Sequence, residues 1–321
     1  MKRPDSQTAS GPETPLATNP NLKSTFKFSP RLIFFALSVI AVALWWSPLA
    51  SWFTLALQDE QYTHVLLIVP ISVALIVLQW ESPASSSDSS AASGSALLLI
   101  ALVGTTLVRW IRPFPADVQL SLNILLLVAW WMGAFILCFG TRAFRRALFP
   151  LCFLLWMVPF PQFVLNPMVS LLQHGSAASA HWLFAAARIP VEQRGMLMHI
   201  PGLTLEVAPE CSSIRSSMML LVTTMVLAQL LLLSFWRKAV VVAVAIPLSV
   251  AKNGLRIFVI AVLTTRVDPS FLTGRVHRQG GVIFFGIALL GIFLLLWMLR
   301  RGENQKPQIP ASASPERTSI G

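Results

Sequence analysis

Charged residues are scarce in this chain. Asp, Glu, Lys and Arg together make up 12% of its 321 residues, against roughly 25% in an ordinary soluble domain. Hydrophobic residues account for 55%, and the mean hydropathy is +0.70. So little charge excludes a typical soluble globular protein and predicts a polytopic membrane protein.

Cysteine is also rare, and its spacing excludes further classes. The three cysteines are Cys138, Cys152 and Cys211, and neither a CxxC pair nor a His/Cys spacing indicates a metal site. Cys138 and Cys152 lie inside apolar runs, so we interpret them as packing residues. No repeat period indicates a solenoid or an inverted-repeat transporter.

Apolar runs dominate what remains of the sequence. A helix needs about 20 apolar residues to cross a bilayer, and eight runs approach that length. They cover 32–53, 63–80, 95–110, 118–139, 146–163, 212–235, 238–263 and 280–299. We therefore expect an all-α polytopic membrane domain over 30–300, with about eight transmembrane helices. The polar ends, 1–29 and 301–321, are predicted to be disordered cytoplasmic tails.

The basic residues collect on one side of the predicted membrane. Cytoplasmic loops retain positive charge, and with eight spans 14 of the 24 basic residues fall on a single face. That face then carries Lys2, Arg3, Lys23, Lys27, Arg31, Arg142, Arg145, Arg146, Arg237, Lys238, Arg300, Arg301, Lys306 and Arg317. Both termini are thus predicted to be cytoplasmic. Topology and contact with anionic lipid explain most of the net charge of +11 without a nucleic-acid partner.

The longest extracytoplasmic segment is predicted to run from Pro161 to Glu210. Its first half, 166–188, is suited to an interfacial helix. In its second half, apolar residues alternate on both sides of Pro201-Gly202, which is a hairpin signal. We expect two short strands that lead directly into the helix at Cys211.

Cys211 lies where this polar segment turns into an apolar run, in Glu206-Val207-Ala208-Pro209-Glu210-Cys211-Ser212-Ser213-Ile214-Arg215. A helix amino terminus and Arg215 one turn further on both favour a thiolate. Position alone leaves two interpretations open: an activated nucleophile, or a packing cysteine at an interface.

Two other polar clusters are predicted at the depth of Cys211. Span seven contains Lys252-Asn253-Gly254-Leu255-Arg256, and a rise of 1.5 Å per residue puts Arg256 roughly 27 Å from the cytoplasmic face. We interpret Lys252 as a side chain that snorkels to headgroups. His277 precedes span eight on the same side. A thiol, a guanidinium and an imidazole together form a set for acyl transfer.

These motifs resemble the exosortase/archaeosortase family of polytopic membrane thiol transpeptidases. The resemblance covers approximately residues 30–300. It rests on Glu210-Cys211-Ser212-Ser213-Ile214-Arg215, on Asn253-Gly254-Leu255-Arg256-Ile257, on His277 four residues before Gly281, and on Tyr62-Thr63-His64. Ser213 stands where the family usually has glycine.

The resemblance implies a site in which Cys211 is the nucleophile, Arg256 its second member and His277 the proton carrier. It implies a supporting or substrate-binding role for Arg215, Asn253, Glu210, His64 and Tyr62, with neither metal nor cofactor. The implied substrates are secreted proteins that end in a Pro-Glu-Pro-like motif, a transmembrane helix and a basic tail. The remaining implied partners are membrane lipid and an unknown surface acceptor. The implied location is the bacterial inner membrane, with the site on the extracytoplasmic face.

Three alternatives stay open. A membrane protease would end the same thiol chemistry in hydrolysis. A transporter or channel component would pass an anion along Lys252, Arg256 and His277, but it predicts polar residues throughout the membrane depth, whereas these groups gather at one boundary. The third alternative is a structural member of an exopolysaccharide export system.

Overall fold

Helices make up most of the structure, a computed structural model that describes residues 29–78, 90–111, 114–207, 214–272 and 275–304. The α-helices are α1 (Pro30–Leu44), α2 (Trp46–Gln58), α3 (Ile68–Leu78), α4 (Ser90–Trp110), α5 (Ala116–Arg146), α6 (Leu148–Phe153), α7 (Gln162–Ala186), α8 (Ile214–Leu231), α9 (Phe235–Arg266) and α10 (Arg275–Asn304). Short 3-10 helices cover Glu60–Leu67, Leu154–Met157 and Pro269–Leu272.

The predicted fold class is confirmed. Within the described ranges, six helices are long and apolar enough to cross a membrane. The number rises to eight when each of two bent helix pairs is counted as one span. Large apolar side chains such as Phe35, Leu99 and Leu290 are exposed along these helices, as expected for surfaces that face lipid.

The first predicted span is bent rather than continuous. α1 and α2 meet at Trp45 with an angle of 77° between them. Pro48 has no N–H to donate to the carbonyl of Leu44 four residues earlier, so the helix cannot continue its regular bonding there. Arg109 of α4 donates to that carbonyl instead, at 2.7 Å. The proline thus explains the break, and a side chain from another helix compensates for it.

The fifth predicted span, 146–163, is wrong as a single helix, because the chain turns by 93° between Met157 and Gln162. The cause is Pro159 and Pro161, since a residue before proline prefers extended backbone, and Val158 has ψ 117°. Side chains bond the backbone groups that this turn leaves open: Trp52 to the Met157 carbonyl, Ser121 to that of Pro159, Tyr62 to that of Phe160, and Asp117 to the amide of Gln162. α7, which follows, covers residues 166–186 of the helix predicted over 166–188.

A small antiparallel sheet follows α7. Its strands are β1 (Glu192–Arg194), β2 (Leu197–Ile200) and β3 (Leu203–Glu206), in that order across the sheet. The predicted hairpin is β2–β3, and Gly202 in its turn has φ +82°, a conformation that Pro-Gly turns favour. Strand β1 was not predicted from the sequence, because Glu192-Gln193-Arg194 shows no alternation of apolar residues.

The sheet is fixed against α7 and α9 by its apolar face. Met198 and Ile200 of β2 are buried together with Phe184 of α7 and Ala261 of α9. The edge-to-face contact of Phe184 with Phe258, 5.0 Å between ring centroids, joins the two helices under the sheet. The sheet therefore holds a fixed position relative to α9.

α7 and α9 approach each other closely at Gly254. A Cβ at this position would lie 2.5 Å from Ser179 Cβ and 3.0 Å from the Ala180 nitrogen, so a larger residue has no room there. One residue earlier, Asn253 Nδ2 donates to Ser176 Oγ at 2.9 Å in a buried contact. A glycine contact and a buried hydrogen bond, both common devices in membrane helix packing, thus determine how α7 crosses α9.

α10 extends four residues past the predicted tail boundary at residue 300. Glu303 explains the extension, because its carboxylate accepts hydrogen bonds from the amides of Leu233 and Ser234 in the α8–α9 turn, at 3.0 and 2.9 Å. The predicted tails otherwise lie almost wholly outside the described residues, in 1–28 and 305–321.

Gly254→Ala should destabilise the protein by about 1–3 kcal/mol, because the added methyl group overpacks the crossing of α7 and α9. The measurement is the thermal unfolding midpoint of purified protein in detergent micelles.

The matched control is Gly286→Ala in α10, where nothing lies within 4 Å of the added carbon. This change should leave the midpoint unchanged or raise it, since alanine favours helix. In a Ser179→Gly background, Gly254→Ala should lower the unfolding midpoint by less, because the side chain that the added methyl group meets has been removed. Equal shifts for Gly254→Ala and Gly286→Ala would contradict the packing described at Gly254.

Candidate active site

The candidate site lies at one end of the helical bundle, where α8 and α10 begin and α9 ends; we call it the site end. α8 starts at Ile214, so Cys211 and Glu210 lie outside the described residues, with two residues between Cys211 and the helix. The backbone of His277 belongs to α10, but its side chain is not among the described ones. The surrounding residues therefore define the geometry.

Lys252 connects α9 to the beginning of α8. Its side chain is 6% exposed, and its Nζ donates a hydrogen bond to Ser216 Oγ in the first turn of α8. The interpretation of Lys252 as a snorkelling side chain is wrong: the ammonium group is buried between two helices, where it needs an acceptor. The contact places Lys252, one turn before Arg256, level with the first turn of α8.

Arg256 brings α9 into contact with α10. Its Nη1 lies 3.8 Å from the position that a Cβ on Gly281 would occupy, and its side chain is half-buried. Gly281 is four residues after His277, so both positions share one face of α10, one turn apart. The structure thus brings Arg256 to α10 one helical turn from the backbone of His277.

Arg215, the second residue of α8, pairs with Glu60 at 2.9 Å. The two side chains are 45% and 82% exposed, so the pair adds little to stability. The pair nevertheless links α8 to the 3-10 helix that carries Tyr62 and His64, because Glu60 is the first residue of that helix. The Tyr62-Thr63-His64 motif therefore lies beside the beginning of α8.

Tyr62 and His64 are both buried, at 6% and 4% exposure. The Tyr62 hydroxyl donates to the Phe160 carbonyl at 3.0 Å, and His64 Nδ1 lies 3.0 Å from the Gln61 carbonyl, to which it donates. These bonds hold the 3-10 helix and the bend after Met157 in place. The contacts favour a positioning role for both side chains.

The chain that leads to Cys211 is anchored at Val207, which is 2% exposed. The Val207 amide donates to the Met196 carbonyl at 2.9 Å, and its own carbonyl accepts from Gln173 Nε2 at 3.1 Å. On the far side of Cys211, Ile214 is buried at the start of α8. Val207 and Ile214, the nearest described residues on either side of the cysteine, are therefore fixed to the helical bundle.

Sequence reasoning missed the partners of these residues. Glu60, Gln173, Ser176 and Ser216 each bond a residue of the site or its flanks. Glu60 carried a usable signal, because an acidic residue at the start of an apolar span is unusual. The others are polar residues within apolar helices, and their partners depend on how the helices cross.

The other two cysteines are not at the site. Cys138 lies in α5, 21 residues after Asp117 at the site end, which is about 32 Å along a helix. Cys152 lies in α6, and its exposed side chain shows that its interpretation as a packing residue is wrong. Within the part of the chain that the structure describes, no group of three His, Cys, Asp or Glu residues is arranged to hold a metal ion.

Fold and site define a class, an integral membrane protein whose buried polar side chains meet at one end of a helical bundle. The family model described as transmembrane exosortase matches residues 45–294. The chain therefore belongs to the transmembrane exosortase family. No curated protein and no solved structure gives a significant match.

Glu60→Lys should lower substrate processing by about tenfold or more, because a lysine repels Arg215 and separates the 3-10 helix from α8. A loss of this size corresponds to about 1.4 kcal/mol in the barrier. The measurement is the rate of processing by the purified protein, with a test substrate that carries a C-terminal sorting signal.

Glu192→Lys is the matched control, because Glu192 forms an exposed ion pair with Arg194 on β1, at 2.7 Å. Processing by this variant should stay within about twofold of the wild-type rate, as for most surface pairs. The positional role of Glu60 would be refuted by equal rates in the two variants.

Proposed function

We propose that this exosortase family member is a cysteine transpeptidase that cleaves the C-terminal sorting signals of secreted proteins and transfers them to a surface acceptor. One observation supports the proposal most strongly. Arg256 lies against α10 at Gly281, one turn from the backbone of His277, and Lys252, one turn before it, contacts the helix that follows Cys211. This arrangement supports a site in which three separate chain segments supply the groups that acyl transfer requires.

In the proposed mechanism, the Cys211 thiolate attacks the carbonyl carbon of the scissile peptide bond. As the S–C bond forms, the carbonyl electron pair moves to oxygen, and the Arg256 guanidinium stabilises the resulting oxyanion. His277 in its protonated form donates to the leaving nitrogen, so that the C–N bond breaks and a thioester remains.

The second half of the proposed reaction consumes the thioester. An amine or hydroxyl group of the acceptor gives its proton to His277 and attacks the thioester carbon. The C–S bond then breaks, and the Cys211 thiolate is regenerated. If water replaces the acceptor, the same steps give hydrolysis.

Membrane depth supports the proposed substrate class. A substrate with its own transmembrane helix next to the cleavage motif is confined to the bilayer that holds the enzyme. Its scissile bond then reaches the site end at a high effective concentration. A free peptide would lack this advantage.

The proposed orientation puts the site end outside the cytoplasm of a bacterial cell, in the inner membrane. Its support is the distribution of charge. Arg237 binds the carbonyls of Leu299 and Gly302 at the opposite end of the bundle, and Lys238, Arg300 and Arg301 follow closely in the chain. Such a basic cluster is typical of a cytoplasmic face.

Cys211→Ala, Arg256→Ala and His277→Ala should each reduce processing of a co-expressed substrate by at least about a hundredfold, because each removes one chemical role. Intact mass spectrometry of the substrate measures the outcome. Cleavage with an added mass indicates transfer, and cleavage alone indicates hydrolysis.

Cys138→Ala and Cys152→Ala are the matched controls, since neither thiol lies at the site end, and both should process substrate normally. Membrane insertion should be intact in all five variants. Normal processing by Cys211→Ala together with failure of Cys138→Ala or Cys152→Ala would put the nucleophile elsewhere.

A further inference from the structure

A cavity of about 300 Å³ lies between the start of the 3-10 helix Glu60–Leu67 and the first half of α7. Its polar lining consists of one carboxylate and four side-chain amides, and two apolar residues of α7 complete it. We call it the amide pocket; its polar members are Asp59, Gln61, Gln162, Asn166 and Gln173.

The chemistry of this lining suits a peptide main chain. Each amide side chain both donates and accepts hydrogen bonds, as the N–H and C=O groups of an extended peptide require. Lys and Arg are missing from the lining residues, so the one formal charge among them is the carboxylate of Asp59. The pocket therefore favours uncharged ligand groups and disfavours acidic ones.

One buried atom of Gln61 calls for a ligand donor. Its Oε1 is buried without a hydrogen-bond partner among the described residues. An acceptor buried in this way costs roughly 1–3 kcal/mol, and an N–H group of a bound peptide would recover that free energy. The backbone nitrogen of Gln61 is already bound to Asp59 Oδ1 at 2.9 Å, so the residue is fixed beside the cavity.

The pocket adjoins both flanks of Cys211. Gln173, which lines the pocket, donates to the carbonyl of Val207, the last described residue before the cysteine. On the other flank, Glu60 stands next to Gln61 and pairs with Arg215 in the first turn of α8. A peptide in the pocket would therefore lie next to the segment that carries the nucleophile.

We propose that the amide pocket is the subsite that binds the main chain of the sorting signal beside the scissile bond, where the signal carries uncharged side chains. This proposal rests on the proposed function and adds a specificity to it. Asp59 rejects an acidic residue in the pocket through like-charge repulsion. Any acidic group of the signal must then lie outside the pocket.

The test measures peptide binding separately from catalysis. Purified Cys211→Ala protein in detergent micelles is titrated against a fluorescein-labelled peptide with a Pro-Glu-Pro motif and uncharged flanks. Fluorescence anisotropy gives Kd. Gln61→Met and Asn166→Leu in this background should each raise Kd about fivefold or more, because each removes an amide from the pocket.

Gln193→Met is the matched control, since this glutamine lies on β1 and its amide bonds the nearby Gly195 carbonyl; its Kd should stay within about twofold. A second peptide with glutamate in the flanks should bind more weakly than the neutral one. Asp59→Asn should reduce this penalty, because asparagine removes the negative charge while its side-chain oxygen can still accept from the backbone N–H of Gln61.

The outcomes separate the two proposals. If Gln61→Met and Asn166→Leu change Kd no more than Gln193→Met does, and Asp59→Asn leaves the glutamate penalty intact, the pocket is not the subsite. A second outcome is also informative. If the pocket variants weaken peptide binding but the wild-type protein does not cleave substrate through Cys211, the subsite is supported and the proposed chemistry is refuted. Thermal midpoints of all variants control for folding.

Discussion

The close approach of α7 and α9 at Gly254 is the contact on which the rest of the site depends. A side chain at this position would meet Ser179 and Ala180, so glycine permits the crossing, and the buried bond from Asn253 to Ser176 sets its register. The same stretch of α9 carries Lys252 and Arg256, while α7 carries Gln173 and supports the sheet. One crossing therefore aligns the cationic side chains with the chain that enters Cys211.

A second constraint comes from the membrane. Backbone groups that leave a helix within or near lipid need partners from the protein, and both bent spans obtain them. Arg109 binds the carbonyl freed at Leu44, while side chains of α2, α5 and the 3-10 helix bind the turn after Met157. The amide pocket lies between the start of the 3-10 helix and the first half of α7, which follows the second bend. Irregular backbone and polar side chains thus concentrate around the proposed subsite.

Much of this architecture follows from sequence pattern alone. Six of the predicted spans and the Pro201-Gly202 hairpin depend on local periodicity, which the structure retains. The bends were missed because hydropathy does not register a change of direction, although Pro48, Pro159 and Pro161 mark both breaks. The burial of Lys252, the pairing of Glu60 with Arg215 and the amide pocket arise from contacts between distant segments. No local pattern encodes them.

The most direct test of the account is the separation of positions 211 and 277. In a Cys138→Ser, Cys152→Ser background, His277→Cys is treated with a bifunctional maleimide about 8 Å long, and peptide mass spectrometry identifies linked thiols. A positive control carries Arg256→Cys and Gly281→Cys, two positions that the structure places in contact, with Cys211→Ser. The account predicts a linked peptide that joins residues 211 and 277. Separate modification of these two thiols, with efficient linkage in the control, would contradict it.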